Sequence, residues 1–299
     1  MGNSSLWKKA IPPARDRLQA RLLVTTLPEI LAVACALQLL RLPVGAFLLA
    51  TIGICVCFGL LTWLIKAATP AAAVVGGMIC FLLIAGIGQP WHSPMRTGLA
   101  PLIALFLLTF LATRAGRAWK RDRDPTGTKE GRNAAQVLAN LSVAGLVAAG
   151  ILDFFPSPVE LGGGGSLANA VTPALLLAAL VETTADTVSS EVGQAFGGAP
   201  RLMTTFRKVT AGTDGAISGL GTLSGILGGG AVVLVGMWSM RMSFELGCIA
   251  FAGGMAGFVF DSLLGATLER SGWLSNDLVN FFSTIFAVVV AFCLAVFLP

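Results

Sequence analysis

The stretch PVGAFLLATIGICVCFGLLTWLI, from Pro43 to Ile65, has no charged side chain, and its single proline stands at its first position. As a helix rising 1.5 Å per residue it would reach about 34 Å, enough for the ~30 Å hydrocarbon core of a bilayer. Similar stretches recur on both sides of it. The whole chain of 299 residues is 55% hydrophobic and 12% charged, with a mean hydropathy of +0.82. Average soluble domains carry roughly 25% charged residues, so the composition excludes an ordinary soluble protein. The chain reads as all-α, a polytopic transmembrane helix bundle of about nine spans within a range of seven to nine. The expected spans are 22–40, 43–65, 69–89, 97–113, 136–152, 166–186, 216–240, 245–265 and 277–298. Residues 1–21 form a basic cytoplasmic N-terminal segment, read as leading into an uncleaved first span. Residues 22–299 form a single integral membrane domain, with the functional motifs concentrated in 129–283.

Charge provides an independent check on this layout, because cytoplasmic loops are enriched in Lys and Arg. With the N-terminus inside, 17 basic residues fall on inner segments, including the seven from Arg114 to Arg132, while only Arg41, Arg96 and Arg241 fall outside. This asymmetry accounts for the formal net charge of +5, so nucleic acid is not an expected partner. Multi-pass insertion in a bacterial inner (plasma) membrane is expected, with membrane lipids as neighbours. The six cysteines all lie in apolar runs without a CxxC pair; they read as small buried hydrophobes rather than a disulfide framework or a zinc site. The only histidine, His92, falls in an outer loop. The loop ELGGGGSLAN (160–169) reads as a flexible outer linker. No GxxxxGK[ST] phosphate loop occurs, and GLGTLSG (219–225) inside a span suits close helix packing through small residues.

The polar residues within or beside the spans gather on the inner side. In VETTADTVSSEVG (181–193), Glu182, Asp186 and Ser189 follow i, i+4, i+7 and share a helix face. GRNAAQVLAN (131–140), FRKVTAGTDGAISGLGT (206–222), DSLLGA (261–266) and NDLVNFFS (276–283) fall at the same level. A carboxylate held near the membrane is costly unless paired, hydrated or metal-bound. Asp214 and Asp261 extend the acidic face into a set suited to Mg²⁺, a hard cation that takes oxygen ligands and phosphates together. Arg207, Lys208, Lys129 and Arg132 supply the charges that phosphates require. Each residue also has a plain structural reading. Helix-end carboxylates can cap or bond neighbouring helices, Arg207 and Lys208 can set topology, and the asparagines can bond across helices.

These five motifs, in this order, resemble the polytopic membrane family called domain of unknown function ninety-two, which includes the plant phytyl-phosphate kinase of vitamin E synthesis. The resemblance covers roughly residues 30 to 298 and is strongest after Lys129. The chain departs from the family pattern at Val188, where a bulky residue is usual, and in placing Glu269 three residues after Ala266. The resemblance implies a membrane helix bundle that transfers the terminal phosphate of a nucleoside triphosphate, CTP or ATP, to a prenyl phosphate lipid. The roles expected on that basis are Glu182, Asp186 and Asp261 for the metal, with Asp186, Asp214 and Lys208 as the catalytic set. Lys129, Arg132, Arg207, Lys208, Gly212 and Thr213 would bind phosphates, and Asn133, Asn140, Ser189, Ser190 and Asn280 would fix the lipid head group. The alternative is a transporter or lipid-handling protein without chemistry, which requires a polar path continuing to the outer side.

Overall fold

The computed structural model describes residues 11–87, 93–123, 131–154, 160–161 and 165–297. Nine α-helices stand among the described residues. They are α1 (Pro13–Arg41), α2 (Ala46–Leu64), α3 (Pro70–Ala85), α4 (Leu99–Arg123), α5 (Ala134–Ala148), α6 (Leu167–Phe196), α7 (Gly219–Met240), α8 (Phe244–Leu264) and α9 (Asn276–Phe297). Six of them, α1, α2, α6, α7, α8 and α9, are long and apolar enough to cross a membrane. The apolar parts of α3, α4 and α5 are shorter: 70–85, 99–115 and 134–148. The expected spans 69–89 and 136–152 therefore end early, and α4 and α6 run about ten residues past their expected ends. Hydrophobicity marks where a helix meets lipid, whereas the backbone ladder continues through polar residues until a cap or glycine stops it.

Local chemistry sets several starts. Thr69 caps α3 by accepting from the Ala72 N–H, with Pro70 at the first helical position. Asn133 and Gln136 form a reciprocal capping box at α5. Ser218 and Ser243 cap α7 and α8. The expected start of the seventh span at residue 216 is displaced, because Ala216–Ile217 form a strand, β4, paired antiparallel with β3, Arg201–Leu202. Within the glycine-rich linker β1 (Glu160–Leu161) pairs antiparallel with β2 (Gly165–Ser166), and α6 begins at the next residue.

Helix α6 is the central element. Its residues from Ala174 to Val181 are all fully buried at 0% exposure, in contact with α4, α5, α7, α8 and α9. Small residues allow the closest approach: a Cβ at Gly225 of α7 would stand 2.7 Å from the Ala185 carbonyl of α6, and one at Gly221 would stand 2.7 Å from that of Ser189. The GLGTLSG segment is thus a packing surface. By contrast, α1 and α2 expose Leu40, Leu49, Leu61 and Leu64 outward, as lipid-facing helices do.

Connections alternate between two ends. At one end the Arg132 N–H donates to Ala67 O and the Thr69 N–H to Arg132 O, joining the α2–α3 turn to the α4–α5 connection. Gln19 Nε2 donates to Trp273 O while Gln19 Oε1 accepts from the Ser275 N–H, joining the start of α1 to the α8–α9 turn. At the other end Gln38 Nε2 donates to Ala149 O, and Arg96 donates to Trp238 O. Exposed Trp63 and Trp273 lie at the first end and Trp238 at the second, where interfacial anchors belong. The first end, which also carries the β3–β4 connection, is the polar end.

Candidate functional site

Most of the acidic residues singled out by sequence meet at the polar end, around a cavity of ≈ 140 Å³. Helix α6 supplies Asp186, Ser189 and Ser190; α8 and the turn after it supply Asp261, Ser262 and Glu269. The connection before α7 supplies Gly212, Thr213, Asp214 and Ser218, and α9 supplies Asn276. Of the i, i+4, i+7 face of α6, Asp186 and Ser189 reach the cavity and Glu182 does not. The turn after α8 is a single π-type turn, Gly265–Glu269, and Gly265 and Glu269 both line the cavity; such turns recur at functional sites. Gly215 makes this closeness possible. Its φ is +67° and a Cβ there would run into Ala266.

Asp186 and Asp261 are half-buried and lie within hydrogen-bonding reach of each other. Two carboxylates this close require a shared proton or a cation between them. Glu182, one turn deeper on α6, does not line the cavity and is 1% exposed. Ser283 Oγ donates to Glu182 Oε1 at 2.6 Å and stands 3.1 Å from Asp261 Oδ2. Thr183 Oγ1 lies 3.3 Å from Glu182 Oε2 and donates to the Asn140 carbonyl at 2.7 Å.

The expected cations divide. Arg132 is half-buried, its guanidinium donates to Thr187 Oγ1 on α6 at 3.2 Å, and it faces Glu191 and Asp186 electrostatically. Burial pulls its pKa below the ordinary arginine value, and those two carboxylates oppose the shift. Arg207 and Lys208 are instead exposed and absent from the cavity lining. The 201–208 hairpin turns them outward, with Leu202 N–H bonded to Arg207 O and Phe206 at a positive φ of 53°. Lys129 and His92 lie outside the described residues.

The three asparagines expected to fix a head group do not line the cavity. Asn133 is occupied by its capping box, and Asn140 Nδ2 donates to Gln136 O within its own helix. The Asn280 carbonyl accepts from Ser283 and Thr284. Sequence reasoning missed Ser283, Gln194, Ser218, Ser262, Glu269 and Asn276 as contributors. Ser283 was within reach of a spacing argument, since Asn276, Asn280 and Ser283 follow i, i+4, i+7 on α9; pairings between helices leave no such trace.

The donor set can be tested against Mg²⁺. Among the described residues no three acidic, histidine or cysteine side chains form a ready metal cluster. Mg²⁺ does not need one, because it keeps several waters and is held by one or two carboxylates together with substrate phosphates. Asp186 and Asp261 fit that requirement. Glu182 does not, being enclosed and engaged by two hydroxyls.

The model of the family described as "Integral membrane protein DUF92" matches residues 53–288. An uncharacterized membrane protein of Methanocaldococcus jannaschii is 35% identical over 191 residues, 63% of this chain and 72% of that protein. Protein VTE6, chloroplastic, of Arabidopsis thaliana is 26% identical over 257 residues, 79% of this chain and 75% of the relative. An uncharacterized membrane protein of Synechocystis is 29% identical over 209 residues, covering 67% and 75%. No solved structure matches. The family match spans most of the chain and takes in every acidic residue of the cavity, so this multi-pass protein belongs to the integral membrane family DUF92.

Proposed function

We propose that the chain is a membrane-embedded phosphotransferase that moves the terminal phosphoryl group of a nucleoside triphosphate to a prenyl monophosphate. The observation that carries this reading is the meeting of Asp186 and Asp261, from two different helices, in a cavity closed by the glycine-rich connection 211–218. Asp186 and Asp261 would hold an Mg²⁺, which would supply neutralisation of phosphate charge. Gly212 and Thr213 would approach the donor phosphates, with Arg132, which bonds Thr187 on α6 and interacts with Asp186, as the guanidinium. Ser189 and Ser190 would contact the acceptor head group, and Asp214 would orient the acceptor oxygen. That oxygen forms the new bond to the terminal phosphorus as the bridging oxygen leaves with the nucleoside diphosphate. Phosphoryl transfer depends chiefly on positioning and charge neutralisation, which this residue set can supply.

The excess of basic residues at the polar end would place that end, and the N-terminus with it, in the cytoplasm, where nucleotide and Mg²⁺ are available. The lipid tail would remain among the helices. The test is purified protein with labelled CTP or ATP and a panel of prenyl monophosphates of different chain length. Mg²⁺-dependent formation of prenyl diphosphate is expected, and Asp186→Asn and Asp261→Asn should each lower it by about 10²-fold or more while leaving the protein folded in detergent. Absence of Mg²⁺-dependent nucleotide binding at about millimolar concentration, the upper range of ordinary substrate affinities, would replace this reading with a lipid-handling one.

A further inference from the structure

Arg207 and Lys208 stand apart from the cavity, on a hairpin whose composition and backbone fit a different partner. From Val192 to Thr213 the chain holds three cations, Arg201, Arg207 and Lys208, and no carboxylate. All three are exposed, and Arg201 and Lys208 face each other across the hairpin. Phe206, between them, is 62% exposed with a φ of 53°, a backbone conformation that a bulky residue rarely adopts. It is held there by the Phe206 N–H donating to Leu202 O at 2.8 Å and by the Arg201 guanidinium donating to Phe206 O at 2.8 Å. Strain maintained by its surroundings points to a function, and what it maintains here is an apolar ring among cations. The fold also fixes the level of that ring. Gly197, directly after α6, packs against the Ser218 cap of α7, and β3 pairs with β4, the two residues before that cap. The first turns of α7 already expose Leu220 and Leu223, so the lipid-facing surface begins within a turn of the base of the hairpin. At that level a membrane accommodates an aromatic ring beneath cationic side chains. Each Lys or Arg beside an anionic leaflet strengthens association roughly fivefold.

We infer that the 201–208 hairpin is a docking surface for anionic phospholipids of the leaflet at the polar end, with Arg201, Arg207 and Lys208 on their phosphates and Phe206 inserted at the headgroup–acyl boundary. The surface backs onto the cavity. The Met203 N–H donates to Gly215 O and the Val209 N–H to Pro200 O, each at 3.0 Å, and Gly215 and Pro200 both line the cavity. The inference is independent of the phosphotransferase reading.

The test is the depth of a spin label on Thr204→Cys in the full chain, with the exposed Cys57, Cys248 and Cys293 replaced by alanine. The protein is reconstituted in phosphatidylcholine bilayers with and without phosphatidylglycerol, and depth is read from relaxation of the label by oxygen against a water-soluble nickel chelate. With phosphatidylglycerol the label should lie about 5 Å into the headgroup–acyl boundary. It should return toward water in phosphatidylcholine alone, or at about 1 M salt, where the Debye length falls to ~3 Å. Arg207→Gln with Lys208→Gln should abolish the response to phosphatidylglycerol. Phe206→Gly, which suits the positive φ and so keeps the turn, should leave the label shallow in both bilayers. A label equally open to the chelate with and without phosphatidylglycerol would overturn the inference, as would an undiminished response in the double glutamine variant. A shift produced by inorganic pyrophosphate in phosphatidylcholine, but not by phosphatidylglycerol, would also overturn it and make a soluble phosphate the occupant.

Discussion

Gly257 shows how little tolerance the acidic cluster has at the scale of single residues. Three neighbours already stand where its Cβ would go, so Gly257→Ala should destabilise the protein by about 1–3 kcal/mol through overpacking. A lowered unfolding temperature in detergent would show it, and an unchanged one would mean that α8 can shift. Arg132 offers a second test. Its guanidinium reaches Thr187 and faces Asp186 and Glu191, whereas Lys208 is turned outward on its hairpin. Arg132→Ala should therefore raise the nucleotide requirement about tenfold, and Lys208→Ala should leave it within about threefold, read from initial rates against nucleotide concentration. The reverse order would mean that the hairpin folds over the cavity when nucleotide binds. The sequence made Asp186 and Ser189 legible because one helix imposes one periodicity. It misplaced Arg207 and Lys208 because nearness to a motif says nothing about which way a hairpin turns.

Among the elements, α6 contributes most to both the core and the cavity. Its lower half is apolar and fully buried from Ala174 to Val181, and its upper half carries Asp186, Ser189 and Ser190 into the cavity. The number of helices and their order were legible because long uncharged stretches have few other fates. The ends of α4 and α6 were not, because Ser, Thr and charged residues stop the hydrophobic signal without stopping the helix. The contact of α6 with α7 depends on small residues, so Gly225→Leu should push α7 away from Ala185 and Ser189. Loss of at least about 2 kcal/mol of stability is expected, at the upper part of the range for overpacked sites, together with loss of the cavity. Retained Mn²⁺ binding in a folded Gly225→Leu protein would mean that α7 does not help to hold the site.

For the whole molecule, the alternation of connections gives a topology that labelling can check. Single cysteines at positions 200 and 270 should react with a membrane-impermeant reagent from the same side, and one at position 160 from the other. Equal reactivity of 160 and 200 from one side would break the alternation and with it the proposed cytoplasmic site. The charge asymmetry in the sequence leads to the same expectation. It could not foresee that three of the helices have short apolar parts, since burial within a bundle removes the need for full length. Helices α3 and α5, at 16 and 15 residues, reach only about 22–24 Å at 1.5 Å per residue, against ~30 Å of hydrocarbon. Both start at the polar end, and the turns after Ala85 and Ala148 therefore lie at a depth where bare backbone survives only under protein cover. Because α5 has no exposed residue and α3 exposes only Pro70, Ala71 and Val74, a thicker bilayer would strain the protein cover over those turns rather than the short helices themselves. Reconstitution into phosphatidylcholines of graded chain length should then give a stability optimum in thinner bilayers, making membrane thickness a determinant of how firmly the acidic cavity is held together.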